Sequence, residues 1–511
     1  MPVEVLTVSS KKTWTVAGGE ASTDPFAGTV RRSVAWPQAS PGRARATIST
    51  TRRARRLGNA SRNLARRTVS FRGVLFRQFV DDDLGCASYL IGDPSEGQAF
   101  LVDPAYAIEQ YLEVAKAEGV EIVRVLETHT HADHVSGHGR FGLEHGVPVS
   151  VHPHAEPEFQ FDPLEDGQKL KVGAVTLRVV HTPGHRPEHC AFVVDEELVL
   201  TGDSLFIGDA ARPDLAVDAR EGAEGLFHSL QRLTELPDAY EVYPGHVAGS
   251  LCGAAMSPAH SSTIGDEKRT NAALEYGDVQ AFINAAAAVS TPRPPTTARV
   301  VELNKGPFVG APPPLVRLDT VEHATVLDVR PGETHAAGHV HGSFNVPVSG
   351  SSYATRAGFI LDPEERIVIQ ATDEAEALEA ARGLRAVGFI ELAGYVTEAP
   401  ATDVIEPVGL DELERLLEEG EVQVLDVREK SERDEGYIPG TLHVPFRLLR
   451  DFGPDGVDAQ KPVVTICESG MRAGIAASVL AAAGVDARPV LNGGVNDWPG
   501  GTVSFRRCGA S

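Results

Sequence analysis

Cysteine is scarce in this 511-residue chain: there are five, an odd number, and no Cys-x-x-Cys pair. That excludes a disulfide scaffold and points to a reducing, cytoplasmic setting. Long apolar runs are missing as well, so no stretch has the length to span a bilayer, and a soluble protein with no membrane partner is expected. Acidic residues are nearly absent from one end only. Residues 1–70 hold 13 Lys or Arg against 3 Asp or Glu, the remainder holds 34 against 68, and the net charge is −24. An acidic body argues against nucleic acid as a partner. The length is too great for one ordinary domain and fits three, and an apolar content of 42% supplies their cores.

The basic end carries Arg31-Arg32, Arg52-Arg53, Arg55-Arg56 and Arg66-Arg67 among Ser, Thr and Ala, without apolar periodicity. Residues 1–71 therefore read as a basic disordered tail. An Arg-rich, acid-poor leader resembles an organellar transit peptide. A basic arm for acidic partners, or a chain whose translation really starts near Val74, fits equally.

What is present is concentrated at Thr128-His129-Thr130-His131-Ala132-Asp133-His134, directly after the apolar run Ile122–Leu126. A lone histidine is ordinarily a packed or surface residue, but this stretch sets three imidazoles and a carboxylate together. Thr182-Pro183-Gly184-His185, Thr201-Gly202-Asp203 and Tyr243-Pro244-Gly245-His246 each add one more ligand-type side chain after an apolar segment. Residues two apart on an extended chain point the same way, so His129 and His131 can face one centre. Nitrogen and carboxylate donors suit zinc or iron(II).

These stretches resemble the metallo-β-lactamase fold, with its His-x-His-x-Asp-His signature, over residues 72–290. The resemblance implies an αββα sandwich. Strands are expected at Ala87–Gly92, Ala99–Asp103, Val175–His181, Cys190–Val194 and Leu198–Thr201, with a helix at Ile108–Gly119. Val135-Ser136-Gly137-His138-Gly139 and Gly202–Gly208 leading to Arg212-Pro213-Asp214 resemble, more narrowly, persulfide dioxygenases, a branch close to the glyoxalase II thioesterases. That resemblance implies one iron(II) per chain held by His129, His185 and Asp203, with three positions open. His131, Asp133, His134 and His246 would orient those ligands or hold a second metal. In glyoxalase II relatives a basic pair lies near the thiol-cofactor pocket, so Lys268 and Arg269 are candidates for thiol-substrate carboxylates, with Arg212 another. Cys252 is a candidate to hold or relay sulfur near the pocket mouth.

Residues 291–315, rich in proline, read as a stiff linker. The chain then repeats itself: Ala324–Arg330 matches Val422–Arg428, and Gly342–Pro347 matches Gly440–Pro445. Two copies alternating β and α, 316–400 and 408–508, indicate paired doubly wound domains, and their motifs resemble rhodanese domains. In the second copy the apolar run Pro462–Ile466 leads into Cys467-Glu468-Ser469-Gly470-Met471-Arg472 and an alanine-rich helix. A cysteine between a strand and a helix start meets free N–H groups that favour a thiolate. Cys467 is thus the candidate sulfur carrier, Glu468, Ser469, Gly470 and Met471 the loop that cradles substrate, and Arg472 a cation for incoming sulfite or thiosulfate. The first copy departs: Ala371 falls opposite Cys467 and Glu376 opposite Arg472, which makes it a degenerate spacer.

The expectation is an iron-dependent persulfide dioxygenase coupled to a sulfurtransferase, acting in sulfide detoxification. Glutathione persulfide or a similar thiol persulfide and O2 would give sulfite, and Cys467 would convert sulfite to thiosulfate; a homo-oligomer is expected. The rival is a dinuclear zinc thioesterase of glyoxalase II type, and a sulfur carrier with a vestigial metal domain is a further alternative. Hydrolysis yields no sulfur for Cys467 to handle, which argues against the first rival, and the intact ligand set argues against the second.

Overall fold

The computed structural model describes residues 73–247, 256–288, 292–453, 457–458 and 461–504, together with the backbone strands Thr47–Ser49 and Leu64–Phe71. Within residues 1–71 those two strands pair antiparallel with each other, and Leu64–Phe71 pairs with Val74–Asp81. The rest of the expected basic tail lies outside the described residues.

From Val74 onward the strands alternate in what they face, as a period of two requires. Phe76, Tyr89, Ile91, Phe100, Leu126, Leu177, Phe192, Leu200 and Tyr243 form the core between two sheets. Leu75, Phe79, Leu90, Leu101 and Val125 point the other way, onto Tyr111 and Phe141 of the helices Glu109–Glu118 and His138–His145. On the far side Val180, Val193, Val199 and Val242 pack against Leu226, Leu230 and Leu233 of the helix Ala219–Thr234. Both sheets are thus apolar on both faces, and the result is the expected αββα sandwich.

The first sheet follows chain order up to Asp162–Pro163. The second runs Ser262–Thr263, Glu241–Pro244, Leu198–Gly202, Cys190–Val194, Val175–His181, Lys169–Val172. Leu198–Gly202 and Glu241–Pro244 are parallel neighbours, and Val175–His181 runs the same way. His185, Asp203 and His246 therefore all follow strand ends at one edge of the sandwich. The strand Glu121–Leu126 delivers the His129–His134 loop to that edge.

Residues 291–315 do not form a simple linker, because Thr296–Lys305 is a helix. Thr296, Val300 and Asn304 are buried, and their spacing of four puts them on one side. Val300 packs with Tyr106 and Val135 of the metal domain and with the half-buried Ile390 of the first repeat.

Each repeat is a parallel four-stranded sheet of the same order. In the first it is Phe344–Asn345, Thr325–Asp328, Ile367–Gln370, Gly394–Val396, and in the second Leu442–His443, Gln423–Asp426, Val463–Ile466, Ala487–Pro489. Asp328 pairs with Gln370 as Asp426 pairs with Ile466, so Ala371 and Cys467 stand at equivalent strand exits. Arg330 clamps Asp328 at 2.6 Å and Arg428 clamps Asp426 at 2.7 Å, a second point of equivalence. The first repeat also docks on the metal domain. Asp83 accepts hydrogen bonds from the N–H groups of Tyr353 (2.5 Å) and Ala354 (2.9 Å) at the start of the helix Tyr353–Ile360.

Candidate metal centre and thiol site

The His129–His134 loop is held in place by the buried carboxylates Asp103 and Glu127, which with His131 bring ligand atoms within 4.8 Å of one another. Asp103 accepts from the backbone N–H of Thr128 (2.7 Å) and from its hydroxyl (2.8 Å). With its single proton committed there, the Thr128 oxygen receives Nδ1–H of His129 at 2.9 Å, which leaves Nε2 of His129 as the lone-pair nitrogen. His185 is fixed the same way, since its Nδ1 donates to the carbonyl of Arg212 at 2.9 Å and its Nε2 stands 3.6 Å from Asp203 Oδ2. Asp203 is positioned from two sides. His246 Nδ1 donates to its Oδ1 at 2.8 Å, and its backbone N–H donates to His189 Nε2 at 2.9 Å. Oδ2 is left buried with no hydrogen-bond partner.

His129, His185 and Asp203 are each about 1% exposed or less, with ligand atoms within 4.8 Å of one another. Burial pushes the pKa of both His129 and His185 down, so both rings are neutral and able to ligate. A buried carboxylate oxygen with no hydrogen-bond partner, beside two lone-pair nitrogens, fits a divalent cation, because a buried polar atom left unsatisfied is costly.

The other members of the motif are arranged differently. His246 donates with both nitrogens, to Asp203 and through Nε2 to Asp133 Oδ2 at 2.7 Å. Burial opposes its charge, yet Asp203 and Asp133 outweigh that and raise its pKa to about 10. His131 Nε2 sits 3.2 Å from Glu127 and 3.4 Å from Asp103, short of hydrogen-bond alignment with either. Burial opposes its charge too, and the two carboxylates hold its pKa well above the usual histidine range. His134 Nδ1 lies 3.3 Å from Asp133 Oδ1. His131, Asp133 and His134 also bring ligand atoms within 4.8 Å of one another.

Several buried residues at the centre escape a sequence reading. Glu127 accepts from Ser136 (2.6 Å) and His138 (3.1 Å). Asn304, from the helix inside the supposed linker, accepts from Ser136 N–H (2.8 Å) and donates to the carbonyls of His131 (3.0 Å) and His134 (2.8 Å). Only the i, i+4, i+8 spacing of Thr296, Val300 and Asn304 signalled it. His152, His154 and His181 form a further group nearer the surface. There His152 and His181 stack face to face at 4.2 Å, and His181 Nε2 donates to the Pro187 carbonyl at 2.8 Å.

A cleft of about 550 Å³ opens beside Asp133, lined by Ala132, Arg212, Arg293, Thr297, Thr355 and Val387 among others. Arg212 reaches it, paired bidentately with Asp214 at 2.6 and 2.8 Å. The structure does not bring Lys268 and Arg269 there. Lys268 pairs with Asp238 at 2.8 Å and Arg269 with Asp266 at 2.5 Å, both at the surface. On the helix Ile264–Thr270 it is the buried Glu267 that turns inward, and each further residue rotates about 100° away from it. Cys252 lies outside the described residues.

In the second repeat Cys467 is 1% exposed, and its Sγ accepts the Gly470 N–H at 3.1 Å. Gly470 has φ +95°, and a Cβ there would fall 1.9 Å from the Leu491 carbonyl oxygen, so the turn requires glycine. Gly494 packs as closely beneath the loop, and Val495 N–H donates to the Cys467 carbonyl at 2.9 Å. Glu468 and Ser469 are exposed, and Met471 opens the helix Met471–Ala482. Arg472 is not open to an anion as expected: both its terminal nitrogens bind Glu432, at 2.6 and 2.7 Å.

A buried His/Asp centre at the edge of an αββα sandwich, followed by a cysteine at a strand-to-helix turn, defines a metal-dependent enzyme joined to a sulfurtransferase-type domain. The metallo-beta-lactamase superfamily model matches residues 81–246, and the rhodanese-like domain model matches residues 409–500. A solved metallo-beta-lactamase from Staphylococcus aureus subsp. aureus COL is similar at 30% identity and TM-score 0.59, over 63% of this chain and 98% of that one. The chain thus belongs to the metallo-beta-lactamase superfamily, with a rhodanese-like domain fused behind the metal domain. The mitochondrial persulfide dioxygenase of Bos taurus is 28% identical over 258 residues, 50% of this chain and 96% of that protein. A probable polyketide biosynthesis zinc-dependent hydrolase of Bacillus velezensis is 30% identical over 174 residues, 33% of this chain and 76% of that protein. Among the described residues no helix is long and apolar enough to cross a membrane.

Proposed function

We propose that the protein is an iron-dependent persulfide dioxygenase whose sulfite product is converted to thiosulfate at Cys467. The observation that carries the metal assignment is the buried set His129, His185 and Asp203, whose ligand atoms lie within 4.8 Å of one another and whose Asp203 Oδ2 has no hydrogen-bond partner, a two-His-one-carboxylate face. Iron(II) bound there would supply open positions at which a persulfide sulfur and O2 meet. The chain's own part is to orient that face: Thr128 and the Arg212 carbonyl set the two tautomers, and His246 holds Asp203. Arg212 and Arg293 line the cleft and both pair with Asp214, and the carboxylates of a glutathione-type persulfide would have to take the place of Asp214 to meet them.

At the second centre Cys467 would take the outer sulfur of a persulfide, releasing the free thiol. The sulfur of sulfite then bonds to that outer sulfur while the bond to Cys467 breaks, so thiosulfate leaves and the thiolate is regenerated. The Gly470 N–H aimed at Sγ supports the thiolate. Support for the pairing of activities comes from likeness to a persulfide dioxygenase in the same chain as a rhodanese-like domain. The close approach of His131, Asp133 and His134 favours a second reading, a dinuclear zinc thioesterase. Metal analysis alongside oxygen uptake separates the two. About one iron per chain and oxygen consumption with glutathione persulfide are expected, both lost in Asp203→Ala, whereas two zinc ions with thioester hydrolysis and no oxygen uptake would select the rival.

A further inference from the structure

Arg472, the cation that follows the Cys467 loop in the chain, has both terminal nitrogens committed to Glu432. The first repeat packs against that loop. Tyr353, Ala354, Ala357 and Ile360 of its helix share one buried cluster with Cys467, Ala473 and Ala476, and a Cβ on Gly350 would lie 3.5 Å from the Met471 methyl. Tyr353–Ile360 also carries Arg356. One terminal nitrogen of Arg356 bonds the Ser351 carbonyl, and the other is buried with no hydrogen-bond partner. Arg356 lies within charge-interaction range of Cys467, Arg472 and Asp83, and burial is the largest influence on its charge. A buried guanidinium nitrogen left unsatisfied is costly, and natural sites keep one where a ligand completes it.

We propose that Arg356 of the first repeat is the residue that receives the sulfur oxyanion, sulfite or thiosulfate, at Cys467, so that the anion site is shared between the two repeats. This rests on reading Cys467 as the sulfur-carrying thiol. The planar fork of arginine suits the oxygens of such an anion. Arg356 acts as a positioning residue, setting the anion in line with the sulfur. Arg472, by contrast, braces the loop through Glu432. The repeat that lost its thiol thereby keeps a share in the chemistry of its neighbour.

The test uses the full-length protein with Arg356→Gln and Arg356→Lys. In transfer from thiosulfate to cyanide, Arg356→Gln should raise KM for thiosulfate about tenfold with kcat little changed, and Arg356→Lys should recover most of that. A second readout needs no turnover: the rate of Cys467 alkylation by anionic iodoacetate relative to neutral iodoacetamide, followed on the Cys467 peptide. That ratio should fall several-fold in Arg356→Gln and stay near the unaltered value in Arg356→Lys. Oxygen uptake and iron content should not move. An unchanged KM together with an unchanged alkylation ratio would overturn the proposal, as would a loss that lysine does not restore. If the unaltered protein transferred no sulfur, the reading of Cys467 would fail, and the alkylation ratio would still decide whether Arg356 faces the thiol.

Discussion

At the strand exit of the first repeat Ala371 replaces the thiol, and the helix start behind it is closed by the chain's own carboxylates. Asp373 accepts the Glu376 N–H at 2.8 Å, and Glu376 accepts the Thr372 N–H at 2.5 Å. At the same exit of the second repeat no side chain caps the helix, and the Gly470 N–H points at Cys467 Sγ. Both sheets, both Asp–Arg clamps and both strand registers are otherwise alike. The difference is more than one residue: in the first repeat the N–H groups at the helix start are filled by Asp373 and Glu376, which makes it an ordinary capped helix. What that repeat has is contact: Asp83 caps its helix Tyr353–Ile360 from the metal domain, and the same helix shares one buried apolar cluster with Cys467.

The largest expected effect comes from Cys467→Ser. Transfer of sulfur from thiosulfate to cyanide should fall to background, because the hydroxyl is far less nucleophilic and cannot carry a persulfide; residual transfer at the first repeat would break the contrast between the copies. In that background Ala371→Cys alone should restore nothing, since Asp373 and Glu376 still occupy the helix start. Adding Asp373→Ser, Glu374→Gly and Glu376→Arg should give measurable transfer, and activity from Ala371→Cys alone would show that the caps are irrelevant.

Glycines sharpen the same comparison. Gly470→Ala sets a Cβ against the Leu491 carbonyl at a positive φ and should cost about 2–4 kcal/mol, read by thermal unfolding. Gly484→Ala, also at positive φ but in open space, should cost about 1 kcal/mol. In the metal domain, Asn304→Ala removes hydrogen bonds to His131, His134 and Ser136. It should cost about 1–3 kcal/mol and weaken iron retention on dialysis while leaving transfer at Cys467 intact. Loss of transfer there would mean that the linker helix serves the second repeat as well.

The candidate residues were legible because they are local. His129 to His134 sit within one loop, and His185, Asp203 and His246 each follow a strand whose apolar run marks it. Cys467 and its turn were equally plain, and so was the repeat that exposes Ala371. Illegible were the residues whose role comes from packing between distant segments. Asn304 is hidden by the prolines on either side of its helix. Nothing near Arg356 in the sequence points to a thiol more than one hundred residues on. Glu127 and Asp103 look like ordinary carboxylates at strand ends until burial sets them against His131. Lys268 and Arg269 present the opposite case: their charge suits a substrate, while the helix turns them to the surface partners Asp238 and Asp266. Arg472 likewise has the right charge and position, and Glu432, forty residues earlier, engages it.

The division of labour between the two centres is tested most directly by the products formed from glutathione persulfide and O2 in Cys467→Ser. Oxygen uptake and iron content should match the unaltered protein, while the oxidised sulfur accumulates as sulfite in place of thiosulfate. Thiosulfate formed at the unaltered rate by that variant, with no other sulfurtransferase present, would contradict the account.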